Sequence, residues 1–205
     1  MAKVLLINGS PFKMGCTYTS FYEAKKVFEE EGIETIWIDV PTDIVPCSVC
    51  GYCQKRYRGC IKEDFVNETY AKVMQCGGIL VASPVYHAGP SGFLLSFLER
   101  LFYSFPDRRK LNLKAAAVIS SSRLASSLAS NATIEKFFSI NGMTIITSAY
   151  DNDPDCFMPD EARKDNEAIR KAQNLARNMA YYLKMRELAE EKGLEEPVTV
   201  NHSNR

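Results

Sequence analysis

The sequence predicts an α/β protein in which a parallel sheet of five strands lies between two layers of helices. Short apolar runs alternate five times with segments whose apolar residues recur at helical spacing. Most of the runs are apolar along their whole length, which is typical of strands buried on both faces of a parallel sheet. The chain has 205 residues, 46% of them hydrophobic, and is therefore large enough to bury such a core.

The predicted strands are short runs rich in β-branched residues. The first strand ends at Gly9, and Pro84 is expected to stop the third, because proline has no N–H to donate to a sheet. The five strands are KVLLIN (3–8), ETIWID (34–39), ILVAS (79–83), AAAVISS (115–121) and MTIITSA (143–149).

The predicted helices follow these strands and carry apolar residues three and four positions apart. Gly32 should end the first helix, Asp64 should cap the second, and Asn131 or Thr133 should cap the fourth. The helices are predicted at 17–31, 65–75, 91–104, 131–140 and 160–192, the last being broken at Gly193.

Right-handed crossovers leave few arrangements for such a sheet. Among five-stranded sheets the flavodoxin-like order 2-1-3-4-5 is the commonest, and it gives a three-layer sandwich with helices on both faces. Its ligand lies beyond the carboxyl ends of the strands, where the first and third strands adjoin. We expect one domain over residues 1–193 and a flexible tail over residues 194–205.

The charge balance limits the partners. Lysine plus arginine equals aspartate plus glutamate at 25 each, so no long-range field draws the chain to nucleic acid or to an anionic membrane. No apolar stretch is long enough for a signal peptide or a membrane span, and we expect a cytoplasmic protein.

Four cysteines lie within the loop 46–61, in a C-x₂-C-x₂-C-x₆-C pattern. In a reducing compartment, thiols at this spacing indicate a soft-metal site, either an iron–sulfur cluster or zinc, with a redox-active thiol pair as the alternative. The loop follows the second strand, so it is expected at the same sheet edge as the ligand, about one loop's reach away. The four candidate ligands are Cys47, Cys50, Cys53 and Cys60, while the scattered Cys76 is expected to be buried packing.

The loop after the first strand is suited to a phosphate. It is rich in small residues and opens a helix, so backbone N–H groups, the hydroxyls of Ser10 and Thr17, and Lys13 can surround an anion there. It matches neither the Walker A loop nor G-x-G-x-x-G. An ordinary strand-to-helix turn is the alternative interpretation.

The loop after the third strand is suited to a flat ligand. Gly89 and Gly92 let the backbone come close, and Tyr86 offers an aromatic face, although a packed loop tyrosine is the alternative. For His87, a surface side chain and a catalytic role are equally consistent with the sequence. The loop at 120–127, after the fourth strand, is expected to be a solvated, serine-rich turn.

Three segments together resemble the NADPH-dependent FMN reductase family, and within it the iron–sulfur flavoproteins. GSPFKMGCT is similar to the family's phosphate loop, SPVYHAGPSGFLLSFLER to its second signature, and PCSVCGYCQKRYRGCIKED to the compact cysteine motif. The likeness spans residues 3–183. Cys16 departs from the asparagine common at that position, and Leu95 and Glu99 replace the usual lysine and aspartate.

The resemblance implies non-covalent FMN and a [4Fe–4S] cluster on the four cysteines of the loop, with no side chain needed as a nucleophile or base. FMN can take two electrons as hydride and release them one at a time, and a cluster passes single electrons, so the pair would convert two-electron into one-electron transfer. The implied FMN-binding residues are Ser10, Phe12, Lys13, Gly15, Cys16 and Thr17 for the phosphate and Pro84, Val85, Tyr86, His87 and Gly89 for the ring.

The function expected on this basis is that of an FMN-dependent NAD(P)H oxidoreductase that delivers electrons to a quinone, a nitro or azo compound, or a redox protein. The alternatives are a non-enzymatic electron carrier and an FMN reductase whose cysteine site holds zinc or nothing. The zero net charge favours the enzyme. A homodimer or homotetramer is expected, because the family's FMN site is completed across subunits and residues 185–191 of the last helix would overhang one domain.

Overall fold

The computed structural model describes residues 2–56, 59–122, 127–148 and 166–197. Within them the chain alternates strands and helices in the predicted manner. The elements are β1 (Lys3–Asn8), α1 (Cys16–Glu30), β2 (Glu34–Asp39), α2 (Tyr52–Arg56), α3 (Phe65–Gln75), β3 (Gly78–Tyr86), β4 (Gly89–Pro90), α4 (Gly92–Tyr103), a 3₁₀ turn (Arg108–Leu111), β5 (Ala115–Ser121), α5 (Ser127–Ile140), β6 (Thr144–Ile145) and α6 (Asn166–Glu191).

The sheet has the order β2-β1-β3-β5-β6, and all these neighbours run parallel. Because β5 and β6 are the fourth and fifth strands of the prediction, this is the expected 2-1-3-4-5 order. The prediction did not include β4, a two-residue strand that pairs antiparallel with the end of β3. The strand order reverses between β1 and β3, which is the point at which a sheet of this kind is expected to bind its ligand.

Two apolar layers fill the space between the sheet and the helices. Leu5 and Ile7 of β1 face a core shared with α3, α4 and α5. Val4 and Leu6, on the opposite face of the same strand, meet α1 and α6. The last helix is expected to carry an apolar stripe from Ile169 to Leu183. Ile169 is only partly buried, whereas the rest of the stripe lies in this second core: Ala172, Leu175, Ala176, Met179 and Leu183.

The third strand is longer than predicted, because Pro84 does not stop it. β3 continues to Tyr86, and Pro84 pairs in register with Ser121 of β5. β1 has already ended at Asn8, which pairs with Ala82, so no strand on that side requires an N–H from residue 84. The fifth strand is shorter than the predicted 143–149 and comprises Thr144–Ile145.

The predicted start of the fourth helix is wrong, whereas the predicted cap of the second is confirmed. The fourth predicted helix, α5, is already helical at Ser127, so Asn131 and Thr133 lie inside it rather than at its cap. The Thr133 hydroxyl instead donates to the carbonyl of Ala129 at 2.8 Å. Asp64 does cap α3, because its side chain accepts the Val66 N–H at 3.1 Å. The prediction missed α2, a short helix inside the cysteine loop.

The carboxyl end of α6 is closed by Gly193, as expected. Gly193 has φ +77°, and the Leu194 N–H donates to the Ala189 carbonyl at 2.9 Å. Glu196 forms an ion pair with Arg186. Residues 160–165 of the predicted helix and 198–205 of the predicted tail lie outside the described residues. No described helix is both long enough and apolar enough to span a membrane.

Candidate functional site

Gly9 joins the two loops expected to hold a flavin. Its N–H donates to the Ala82 carbonyl at 2.8 Å, and its carbonyl accepts the Ser91 hydroxyl at 2.9 Å. A Cβ at Gly9 would lie 2.6 Å from a methyl carbon of Leu94 and 2.9 Å from the Ala82 oxygen. Only glycine fits this junction, so the first loop and the loop after β3 are held against each other.

In the loop between β1 and α1, the middle is exposed to solvent and the end is buried against the core. Phe12 and Lys13 are exposed, and the Phe12 N–H donates to the Ser10 hydroxyl at 3.3 Å. Gly15 is the N-cap of α1 and has no side chain to cap the helix. The helix therefore begins with its N–H groups directed into the loop, which is the arrangement that binds anions.

Cys16 and Thr17 form the buried start of α1. Cys16 is disulfide-bonded, so its backbone N–H rather than a thiol is what it can offer a phosphate. The Thr17 side chain is 3% exposed, and its hydroxyl is hydrogen-bonded to that of Ser121 at the end of β5. The first loop thus meets the end of the fourth predicted strand.

The described serines of the predicted turn 120–127, at the end of β5 and the start of α5, are buried rather than solvated, while residues 123–126 lie outside the described residues. Hydroxyl groups that are buried need hydrogen-bond partners, and here other hydroxyls provide them, as in the bond from Ser120 to Ser130 at 3.2 Å. Ser120, Ser121, Ser122 and Ser127 are all buried, whereas Arg123 lies outside the described residues.

A tight hairpin carries the aromatic residue expected against the ring. Tyr86 pairs with Gly89, and the two residues between them, His87 and Ala88, have φ +48° and +64°. These are the values of a two-residue type I′ turn, which costs strain in side chains other than glycine. Tyr86 is 43% exposed, and partial burial raises the pKa of its hydroxyl.

The remaining predicted ring contacts flank this hairpin. Pro84 is buried at the end of β3, while Val85 and Gly89 are half-buried beside the turn and His87 is exposed. Ser83 links the two ends of the hairpin, because its hydroxyl accepts the Ser91 N–H at 3.2 Å.

The structure brings all four cysteines of the loop to one pocket. Cys50 is exposed and the others are half-buried, and Arg100 of α4 completes the wall. Burial raises the pKa of the Cys53 thiol, and the nearby Cys60 and Cys47 thiols raise it further. In the described part of the chain, no three cysteine, histidine or acidic side chains stand close enough together to hold one metal ion.

The backbone turns sharply around the first three cysteines. Val49 and Gly51, on either side of Cys50, have φ +52° and +71°. A positive φ at a β-branched residue is a genuine outlier, and such strain clusters at ligand sites. The turn directs the Val49 N–H at the Cys47 sulfur, 3.4 Å away.

The fourth cysteine is fixed by α3. The Cys60 N–H donates to the Tyr70 hydroxyl at 3.2 Å, and its carbonyl accepts from the Asn67 amide at 2.8 Å. Gly59 has φ +89°, and a Cβ there would lie 2.7 Å from the Tyr70 ring. Cys60 can therefore reach the pocket only because glycine precedes it.

Sequence reasoning missed Arg100. Its side chain is 1% exposed, although an arginine is rarely fully buried. Burial opposes its charge, but hydrogen bonds to Asp64 and Cys60 outweigh that effect and raise its pKa. The available signal was its spacing, since Arg100 lies three residues after the buried Phe97, on the apolar face of the helix.

Helix α4 connects the two halves of the site. Its N-terminus adjoins the hairpin and Gly9, while its second half contributes Arg100 and Tyr103, and its C-cap Ser104, to the cysteine pocket. Arg100 lies eight residues after Gly92, which is about 12 Å along a helix with a rise of 1.5 Å per residue.

Comparison with known proteins agrees with this architecture. Residues 2–155 match the NADPH-dependent FMN reductase family. The chain belongs to this family. It is therefore a flavin-dependent oxidoreductase, and FMN is the cofactor that the family supports.

Curated relatives place it in a narrower group. An iron–sulfur flavoprotein of Methanocaldococcus jannaschii is 30% identical over 195 residues, which are 89% of this chain and 98% of the relative. An iron–sulfur flavoprotein of Methanosarcina thermophila is 28% identical over 147 residues, which are 70% and 76% of the two chains. The iron–sulfur flavoprotein subgroup suggested by the three motifs is thus confirmed.

Solved structures show the same fold at low identity. The flavoenzyme FerB, an NAD(P)H:acceptor oxidoreductase of Paracoccus denitrificans, superposes with a TM-score of 0.67 at 12% identity, over 90% of this chain and 98% of FerB. A WrbA-like flavodoxin of Agrobacterium tumefaciens gives 0.60 at 13% identity, over 90% and 99%. The flavodoxin-like fold is confirmed.

Proposed function

We propose that this oxidoreductase draws electrons from NAD(P)H through FMN and passes them through a [4Fe–4S] cluster to an acceptor. The observation that carries the proposal is the convergence of all four cysteines on one pocket against α4, the helix that begins at the flavin loops. Curated relatives named iron–sulfur flavoproteins support it.

The loops around Gly9 fit FMN. The N-terminus of α1 and the buried hydroxyl of Thr17 suit a phosphate, because both offer hydrogen-bond donors in a site shielded from water. The half-exposed Tyr86 on its strained hairpin suits a flat ring that would cover it. The half-buried Ser10 and the exposed Lys13 would close over the phosphate.

The cysteine pocket fits a cluster by its donor set. Four thiols line a single pocket, and N–H groups already donate to two of the sulfurs, from Val49 to Cys47 and from Arg100 to Cys60. Binding would draw the sulfurs closer together than they stand. Cys50 is exposed between two residues with positive φ, and we assign this movement to the turn that carries it.

With both groups bound, FMN would supply two-electron exchange with the nucleotide and the cluster one-electron exchange with the acceptor. The chain would hold both groups, orient them along α4 and exclude water from the Thr17 side of the site. No side chain is assigned as a nucleophile or a base.

We further propose a cytoplasmic homo-oligomer that serves a small-molecule or redox-protein acceptor. Exposed apolar side chains on the second half of α6, including Tyr181 (73% exposed), Met185 and Leu188, support a contact between copies. The free thiols of the cysteine loop support a reducing compartment, whereas the disulfide-bonded Cys16 is the exception to it.

Anaerobic purification followed by flavin, iron and zinc assays tests the function. We expect one FMN and about four irons per chain, with flavin bands and a broad cluster absorption in the visible spectrum. Addition of NADPH or NADH should bleach the flavin. The control is Cys60→Ser, which should retain FMN but lose iron.

Other outcomes would redirect the assignment. Zinc in place of iron would make the protein an FMN reductase with a structural metal. If neither nucleotide bleaches the flavin but reduced ferredoxin does, the protein is an electron carrier. Either this result or the presence of zinc would refute the proposed electron path.

A further inference from the structure

Arg100 is the largest fully buried side chain among the described residues, and its burial requires an explanation. Removing a guanidinium from water costs several kcal/mol, and well-packed apolar side chains often stabilise a core as well or better. The flavin loops do not use this side chain, which faces the cysteine loop instead.

The contacts of Arg100 gather both ends of that loop. One terminal nitrogen, Nη1, donates to Asp64 at 2.7 Å and to the Val45 carbonyl at 3.2 Å. The other, Nη2, donates to Asp64 at 2.9 Å, to the Cys60 sulfur at 3.3 Å and to the Lys62 carbonyl at 3.5 Å. One side chain thus ties the entry and the exit of the cysteine loop to α4.

Asp64 holds the guanidinium in this orientation. Its two oxygens each accept one N–H of the planar fork, a bidentate geometry that fixes direction as well as distance. Asp64 is itself fixed as the N-cap of α3, where it accepts the Val66 N–H. The remaining N–H of Nη2 is left to face the Cys60 sulfur and the Lys62 carbonyl.

We propose that Arg100 is a positioning residue that donates an N–H···S bond to the cluster ligand Cys60 and raises the reduction potential of the cluster. The inference rests on the proposed function. Hydrogen bonds to the sulfurs and nearby charge both set cluster potentials, and a cation stabilises the form that carries the extra electron. The negative charge of Asp64 lowers the reduction potential of the cluster, although the same side chain orients the Arg100 donor.

This assignment predicts shifts of opposite sign. Arg100→Gln removes the cation and should disfavour the reduced cluster about tenfold, which is about 59 mV for one electron. Asp64→Asn keeps a side-chain oxygen for the α3 cap but removes the negative charge, so it should move the potential upward. A purely structural salt bridge would loosen the loop equally in both variants and give no such opposition.

The experiment is a redox titration of the anaerobically prepared holoprotein, with the cluster followed by EPR and the iron content measured alongside. The matched control is Arg109→Gln, which breaks an exposed pair with Asp107 and removes no hydrogen bond or ion pair to the described part of the cysteine loop. Its potential should equal that of the wild type.

Four results would overturn the inference. Shifts of the same sign in Arg100→Gln and Asp64→Asn would do so, and so would unchanged potentials at full iron content, which would leave the proposed function intact. If Arg100→Gln fails to fold or to hold iron, the test depends on Asp64→Asn alone. A cluster potential of Asp64→Asn that is no higher than that of the wild type then overturns the inference. Wild-type protein without iron would overturn the inference together with the proposed cluster.

Discussion

The buried hydroxyl of Thr17 gives the sharpest test of the flavin site. Thr17→Val keeps the shape of the side chain and removes the hydroxyl, which now bonds only Ser121 among the described residues. A hydroxyl can donate one hydrogen bond and accept others, so Thr17 can serve a phosphate without giving up Ser121.

The expected loss follows from the charge of the ligand. A hydrogen bond to a charged group contributes about 1.5–3 kcal/mol, and each 1.4 kcal/mol is about tenfold in affinity. Thr17→Val should therefore weaken FMN binding by about 10- to 100-fold. The loss of the bond to Ser121 should also lower the free energy of unfolding of the apoprotein by about 1 kcal/mol.

Ser121→Ala is the matched control, because it breaks the same bond from the other side. It should destabilise the apoprotein as much as Thr17→Val does, while leaving the Thr17 hydroxyl free to bind FMN. Titration of FMN fluorescence and denaturant unfolding of the apoproteins give the two quantities. Equal losses of FMN affinity in both variants would refute the assignment of Thr17 to the phosphate.

Three further predictions concern packing and protonation. Gly9→Ala would place a methyl 2.6 Å from a leucine carbon and should cost about 1–3 kcal/mol in unfolding free energy, whereas Gly92→Ala, whose added Cβ meets nothing within 4 Å, should not destabilise the fold. Gly59→Ala should lower the iron content of anaerobic protein, while Gly32→Ala, also at positive φ but without a nearby atom, should leave it unchanged. Burial raises the pKa of Cys76 from 9.0 to about 11, so its stabilising contribution is complete below pH 9 and is lost as the pH rises through 11. Cys76→Ala should flatten the alkaline fall in unfolding free energy, by at most about 3 kcal/mol, and a decline as steep as that of the wild type would contradict the assignment.

The sheet could be predicted from the sequence because its strands are buried on both faces. Runs such as 3–8 and 115–121 are bounded by polar or turn residues, so the run length equals the strand length. The loops at the carboxyl edge follow from the strand order, since parallel strands end together there. Pro84 misled the prediction because the need for its N–H depends on which neighbouring strand is still present.

What the sequence could not provide depends on contacts distant in the chain. The serines at the end of β5 have a polar composition that indicates a solvated turn, yet they are buried, and Ser120 and Ser121 bond to hydroxyls of α5 and α1. Arg100 is similar, because an arginine is ordinarily a surface residue. Only its contacts with Asp64 and Cys60, 36 and 40 residues away, identify it as part of the cysteine pocket.

Rapid mixing of the anaerobic holoprotein with NADPH, with optical and EPR detection on the same sample, tests the central claim most directly. The account predicts that the flavin bands bleach and that the EPR signal of a reduced cluster then appears in the same molecules. A protein with one FMN and four irons whose flavin bleaches while the iron signal never appears would contradict it.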